Sequence, residues 1–213
     1  MTTIIALRHG ESQANEINAF AGHLDIDLTL KGYEQAKRAG IYLKENFNIS
    51  KIYASPLKRA FNTGYECAKI LNKEIIKDDN LKEINAGSWE GLTFSELDEK
   101  FTDDFYMWKH DIGLSTPTGG ESVKDLYERA ILEFNKIAKE NPSKEVLIAT
   151  HATPIRAMIT YIKKGDYKKM NEIPWPTNAS VSIFTYDDGK WDIKDVSINS
   201  YLGDIATKVS LNV

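Results

Sequence analysis

The chain has 213 residues, 42% hydrophobic and 27% charged, with 13 glycines and 6 prolines. That composition excludes collagen, low-complexity linkers and disordered tails, and it suits a globular protein whose core buries about 70% of the unfolded surface. Lys and Arg number 27 against 31 Asp and Glu, for a net charge of -4. There is therefore no global basic footprint for nucleic acid or an anionic membrane, and an anionic ligand must be held by a local cluster.

The N-terminal residues lack a basic leader, and their apolar run is too short for a signal h-region or a membrane span. With a single cysteine, Cys67, an internal disulfide framework is excluded and a buried thiol in a reducing compartment is expected. The expected location is cytoplasmic. Residues 3–7 read as a first strand, and 29–45 carry apolar residues at helical spacing. Residues 51–54 read as a second strand, followed by a helix with Pro56 near its first turn that runs to about residue 71. A third strand is predicted at 75–77. Thr93-Phe94-Ser95-Glu96 has capping-box spacing, so a short helix should begin there. The stretch beyond it mixes Phe101, Phe105, Tyr106 and Trp108 with acids, which suits packing on the sheet or a lid over the organic part of a substrate.

Residues 122–140 place Val123, Leu126, Tyr127, Ala130, Phe134, Ile137 and Ala138 on one stripe, the signature of a helix docked on a core. A fourth strand follows at 145–150, and Pro154 opens a helix through about residue 162. Segments 180–186 and 190–196 flank Asp187-Asp188-Gly189 as a hairpin. Alternating strands and helices predict an α/β fold around a mostly parallel sheet, with no internal repeat or domain boundary over 1–213.

In such sheets ligands collect at the carboxyl ends of strands. His9 follows the first strand and His151 the fourth. Arg59 lies about one turn into the helix after the second strand, and Glu83 sits in the loop after the third. Two imidazoles, two guanidiniums and a carboxylate suit phosphoryl transfer. The planar forks of Arg8 and Arg59 match the nonbridging oxygens of a phosphate monoester, and His151 adds a donor. Neutral His9 is a competent nucleophile that would become a phosphohistidine. The leaving alkoxide needs a proton, for which Glu83 is the candidate; a neighbouring phosphate dianion favours its protonated form. The same group would then activate water.

Leu7-Arg8-His9-Gly10-Glu11, Asn15, Gly22 and Asp25 through Gly32 resemble the opening of the histidine phosphatase superfamily, in its phosphoglycerate-mutase-like branch. The resemblance continues through Ser55-Pro56-Leu57-Lys58-Arg59-Ala60, Glu83 with Gly87-Ser88-Trp89-Glu90-Gly91, Gly119-Gly120-Glu121-Ser122, and His151. It implies a three-layer α/β/α sandwich, a lid-like insertion around 93–120, and catalysis without a cofactor. It also implies His9 as the phosphorylated residue, Glu83 as proton donor, and Arg8, Arg59 and His151 as the phosphate pocket. Asn15, Gly22 and Ala152 are expected to edge that pocket. The family usually has glycine after its second histidine; here Ala152 stands there, so a backbone conformation open to alanine is expected.

The reading is a phosphatase of small phosphate monoesters, monomeric or homodimeric, with a phosphorylated small molecule as its partner. A phosphoglycerate mutase is the alternative, but such mutases carry adjacent arginines after the acid, and no Arg-Arg pair occurs here. A binding module for phosphorylated ligands or a phosphoprotein phosphatase is the remaining alternative. Glu11 is expected to be structural, Asn15 either a helix cap or a substrate contact, and His23 and His110 ordinary loop residues, with His23 near the site. No third ligand accompanies His9 and His151, and two arginines would repel a cation, so no metal is expected.

Overall fold

The computed structural model describes residues 1–207. In chain order its elements are β1 (Thr2–Arg8), α1 (Gln13–Glu16), α2 (Leu30–Asn46), β2 (Ile49–Ala54), α3 (Lys58–Leu71) and β3 (Ile75–Lys77). There follow α4 (Phe94–Lys100), α5 (Thr102–His110), α6 (Val123–Glu140), β4 (Glu145–Thr150), α7 (Ala152–Lys164), β5 (Val181–Asp187) and β6 (Lys190–Ile198). Residues 208–213, included in the expected domain, lie outside the described residues.

β1 and β4 are unbroken apolar runs because both of their faces are covered. Ile4, Ala6, Val146 and Ile148 cluster with Phe134, Ile137 and Ala138 of α6 and with Ile155 and Met158 of α7. Their neighbours Ile5, Leu7 and Leu147 cluster with Ala39 and Leu43 of α2 and with Cys67 and Ala68 of α3. Alternate residues of each strand thus feed opposite cores, which makes the three layers expected from the motifs.

The six strands run in the order β3-β2-β4-β1-β5-β6. The first four are mutually parallel, and β5 and β6 extend the sheet antiparallel beyond β1. Although β4 is the fourth strand in sequence, it inserts between β1 and β2, so the carboxyl ends of β1 and β4 lie side by side. This is where the loops after those strands converge.

Some element boundaries differ from the sequence expectation for local reasons. Thr29 and Ser122 are N-caps rather than first helical residues, their side chains accepting from the backbone N–H of Gly32 and Asp125. Pro56 precedes α3, because Leu57 is extended and the helix begins at Lys58. Pro154 is the third residue of α7, which opens at Ala152 and continues to Lys164. The Thr93–Glu96 capping box forms as expected. Of the aromatic segment, Phe105 and Trp108 are buried with Trp89, whereas Tyr106 is exposed. Among the described residues, no helix is long and apolar enough to cross a membrane.

Candidate active site

The pairing register places Arg8 of β1 opposite Thr150 of β4, and the His9 N–H donates to the Thr150 carbonyl at 3.0 Å. His9 and His151 therefore leave adjacent strands at the same level, with ring centroids 5.3 Å apart at 62°. A carbonyl can only accept, so the 2.7 Å contact from His9 Nδ1 to the Gly10 oxygen puts the ring proton on Nδ1. Nε2 is left with its lone pair. The loop after β1 is held from two sides: Thr63 Oγ1 accepts from the Gly10 N–H, and Asn178 Nδ2 donates to the carbonyls of His9 and Gly10.

Arg59 is buried and Arg8 half-buried beside these rings. Arg8 donates to the Pro176 carbonyl, and its Nε is buried with no partner. Arg59 reaches from α3 to the carbonyls of Gly22 at 2.7 Å and Leu24 at 3.0 Å, which leaves part of its fork free. Gly22 has φ +49, and a Cβ there would stand 2.7 Å from the Ala86 Cβ, so the turn that accepts from Arg59 requires glycine. Burial lowers both guanidinium pKa values to about 10, with the Glu83 carboxylate acting against that fall. Both remain charged at neutral pH.

Glu83 shares the cavity with them. Its Oε1 accepts from the Ile84 N–H at 2.9 Å and its Oε2, at 3.4 Å, from the N–H of Thr153 at the start of α7. Arg8, His9, Asn15, Gly22, Arg59, Glu83 and Ala152 all line one cavity. His151 does not line it but lies behind, its Nε2 bonded to Ser55 Oγ at 2.8 Å and its Nδ1 buried without a partner. Ala152 is an ordinary helical residue outside the left-handed region, so alanine is unstrained there. Asn15 is not an N-cap. Ser12 caps α1, and Asn15 closes the capping box while accepting from Asn178. Glu11 pairs with Lys31, and His110 bonds its own turn. His23 Nε2 meets the Glu83 carbonyl at 2.9 Å.

The cavity's outer wall is formed by Phe20, Phe94, Trp108 and Trp175, with Asn15, Asn18, Asn178, Ser12 and Thr177 between the rings. Of these, the motifs indicated only Asn15. Asn178 and Trp175 come from the loop before β5, and nothing in their local spacing marks them. Ser55 belongs to a motif, but its bond to His151 depends on β2 lying next to β4. Among the described residues, no group of three or more His, Cys, Asp or Glu is placed to hold a metal ion.

Burial and the two guanidiniums hold both imidazoles well below their usual pKa of 6.5, so they are neutral in the folded state. The unfolded chain binds protons below about pH 6.5 while the folded one does not, so stability is full above that pH and falls as pH drops. Unfolding followed from about pH 7.5 to about pH 5.5 should therefore show a Tm that falls more steeply for the native chain than for His9→Asn, each imidazole contributing at most about 1.4 kcal/mol per pH unit. Equal slopes would contradict a neutral, buried His9.

The profile of the histidine phosphatase superfamily (branch 1) matches residues 4–199. Phosphoserine phosphatase 1 of Hydrogenobacter thermophilus is 32% identical over 207 residues, which cover 96% of each chain. The 2,3-bisphosphoglycerate-dependent phosphoglycerate mutase of Treponema denticola is 30% identical over 232 residues, covering 94% of this chain and 92% of its own. Among solved structures, YhfR of Bacillus stearothermophilus superposes with a TM-score of 0.90 at 28% identity, covering 95% of this chain and all of its own.

Proposed function

The chain belongs to branch 1 of the histidine phosphatase superfamily, and on that premise we propose that it hydrolyses small phosphate monoesters through a phosphohistidine on His9. The observation that carries this reading is the free Nε2 of His9, fixed by the Nδ1 contact to Gly10 and flanked by the guanidiniums of buried Arg59 and half-buried Arg8. Nε2 attacks phosphorus in line while the P–O bond to the alcohol breaks, and the alkoxide takes the Glu83 carboxyl proton. Arg8 and Arg59 neutralise the nonbridging oxygens, with the unpaired Nε of Arg8 and the free edge of Arg59 as donors. His151 packs edge-on against the His9 ring from behind the cavity. Water then attacks phosphorus and gives a proton to the Glu83 carboxylate, the N–P bond breaks, and inorganic phosphate leaves.

The substrate proposed is a short phosphorylated amino acid of the phosphoserine kind. Among the described residues lining the cavity, the only cations are Arg8 and Arg59, and both are committed to the phosphate. Amides, hydroxyls and aromatic faces surround the rest of the substrate. A zwitterionic head, with ammonium and carboxylate cancelling, suits such a wall better than a lone extra anion. The relative named as a phosphoserine phosphatase agrees with this choice. The relative named as a mutase keeps the second reading open to test, but a bisphosphate intermediate would find no third cation among the described residues that line the cavity.

Inorganic phosphate release is expected to be fastest, as kcat/KM, from L-phosphoserine and about tenfold or more slower from 3-phosphoglycerate, a difference of at least about 1.4 kcal/mol. With 3-phosphoglycerate and 2,3-bisphosphoglycerate together, no 2-phosphoglycerate should accumulate; its appearance at a rate above phosphate release would favour the mutase. Cytoplasmic residence and a monomer or homodimer belong to the same proposal. Burial raises the Cys67 thiol to about 12, which makes it inert at neutral pH.

A further inference from the structure

Residues 82–86, which carry Glu83, belong to neither a helix nor a strand. Their carbonyls therefore have no ladder partners and must be satisfied from elsewhere. The side chain of Arg129, on α6, supplies partners for Lys82 and Glu83. Its Nη1 donates to the carbonyls of Asn80 and Lys82, both at 2.9 Å, and its Nη2 to the carbonyl of Glu83, also at 2.9 Å. The remaining N–H groups grip Glu121, from Nε to Oε1 at 2.6 Å and from Nη2 to Oε2 at 2.8 Å. All five guanidinium donors are thus engaged.

Glu121 extends the grip past the other side of Glu83. Its Oε2 accepts from the Asn85 N–H at 3.2 Å, and its own N–H donates to the Asn85 carbonyl at 2.8 Å. The approach is close enough that a Cβ on Gly120 would stand 2.3 Å from the Asn85 oxygen, so only glycine admits it. By contrast, the carboxyl of Glu83 is held only by its neighbour's N–H and a 3.4 Å contact to Thr153. Its location is inherited from the backbone, and the backbone's from the Arg129–Glu121 pair together with His23, whose Nε2 also meets the Glu83 carbonyl.

We infer that Arg129, oriented by Glu121, is a positioning residue that aims the Glu83 carboxyl at the leaving oxygen. The inference rests on the general-acid role proposed for Glu83. A residue that merely stabilised the fold would slow every substrate alike. One that aims the acid affects only esters whose leaving group needs a proton, since a displacement of about 1 Å can cost about a hundredfold in proton delivery.

The test compares L-phosphoserine with 2,4-dinitrophenyl phosphate, whose phenolate leaves unprotonated, in the native chain and in Glu83→Gln, Arg129→Ala, Arg129→Lys and Glu121→Gln. Single-turnover rates isolate phosphoryl transfer to His9. Arg129→Ala should lower the phosphoserine rate by about 30- to 100-fold and the dinitrophenyl rate by less than about threefold, repeating the selectivity of Glu83→Gln. Glu121→Gln should show a milder form of the same selectivity. Arg129→Lys keeps the charge but cannot span three carbonyls and a carboxylate, so it should fall between; if Arg129→Ala does not fold, Arg129→Lys decides. Equal losses on both esters in the Arg129 variants, with Glu83→Gln still selective, would overturn the positioning role and leave the acid intact. Equal losses in Glu83→Gln itself would remove the acid role and this inference with it.

Discussion

Replacing His9 with alanine is expected to lower kcat/KM by at least about three orders of magnitude for any phosphate ester, as for loss of a covalent nucleophile. His9 is 4% exposed and neutral, and its Nδ1 proton is committed to Gly10. No other imidazole can take its place, because Nε2 of His151 is occupied by Ser55 and that ring lies behind the cavity. The charges of the phosphate pocket survive in the variant, so binding and chemistry separate: inorganic phosphate should still raise Tm through Arg8 and Arg59 while turnover is lost. The measurement is phosphate release from a chromogenic ester in the presence of EDTA, paired with acid and alkaline treatment of label trapped during turnover. A native chain bearing no acid-labile, base-resistant phosphate, or a His9→Ala protein retaining more than about a tenth of the rate, would end the covalent mechanism.

Arg59→Lys should lower kcat/KM by about two to three orders of magnitude, the range seen when one preorganised donor is removed from a transition state. Arg59 is 1% exposed and performs two tasks with one planar group. Two of its nitrogens hold the Gly22 and Leu24 carbonyls, which fixes the fork's plane, and the rest of the fork is left free for the phosphate proposed here. An ammonium offers its donors from one atom and cannot serve both. The Gly22 carbonyl it abandons is buried, so the variant should also lose about 1–3 kcal/mol of stability. Inorganic phosphate should raise its Tm less than it does in the native chain. A loss below tenfold with an unchanged phosphate response would mean that charge alone, without the fork, is sufficient.

Signals that act within a few residues were legible in the chain. Thr93 and Glu96 form their capping box because the bonds span only three positions. The short apolar run at 146–149 marked the fourth strand, and the resemblance carried by the motifs implied a three-layer α/β/α sandwich. Arg8, His9, Arg59 and His151 were identifiable at the ends of strands or in first turns of helices, and Glu83 in a loop after a strand, where side chains are delivered to a common edge.

What brings those five together was not legible, because it depends on β4 lying next to β1. That adjacency sets the imidazoles side by side and puts His151 behind the cavity rather than in its wall. The Asn178 clamp, the aromatic wall and the Arg129 grip on the Glu83 loop join segments distant in the chain. Periodicity and capping are local signals, so they were enough to show which chemical groups are present and that four of the five stand at element ends. Which charges are buried and what aims the Glu83 carboxyl followed only from the fold, because desolvation and the Arg129 bonds arise between segments that meet only in the folded chain.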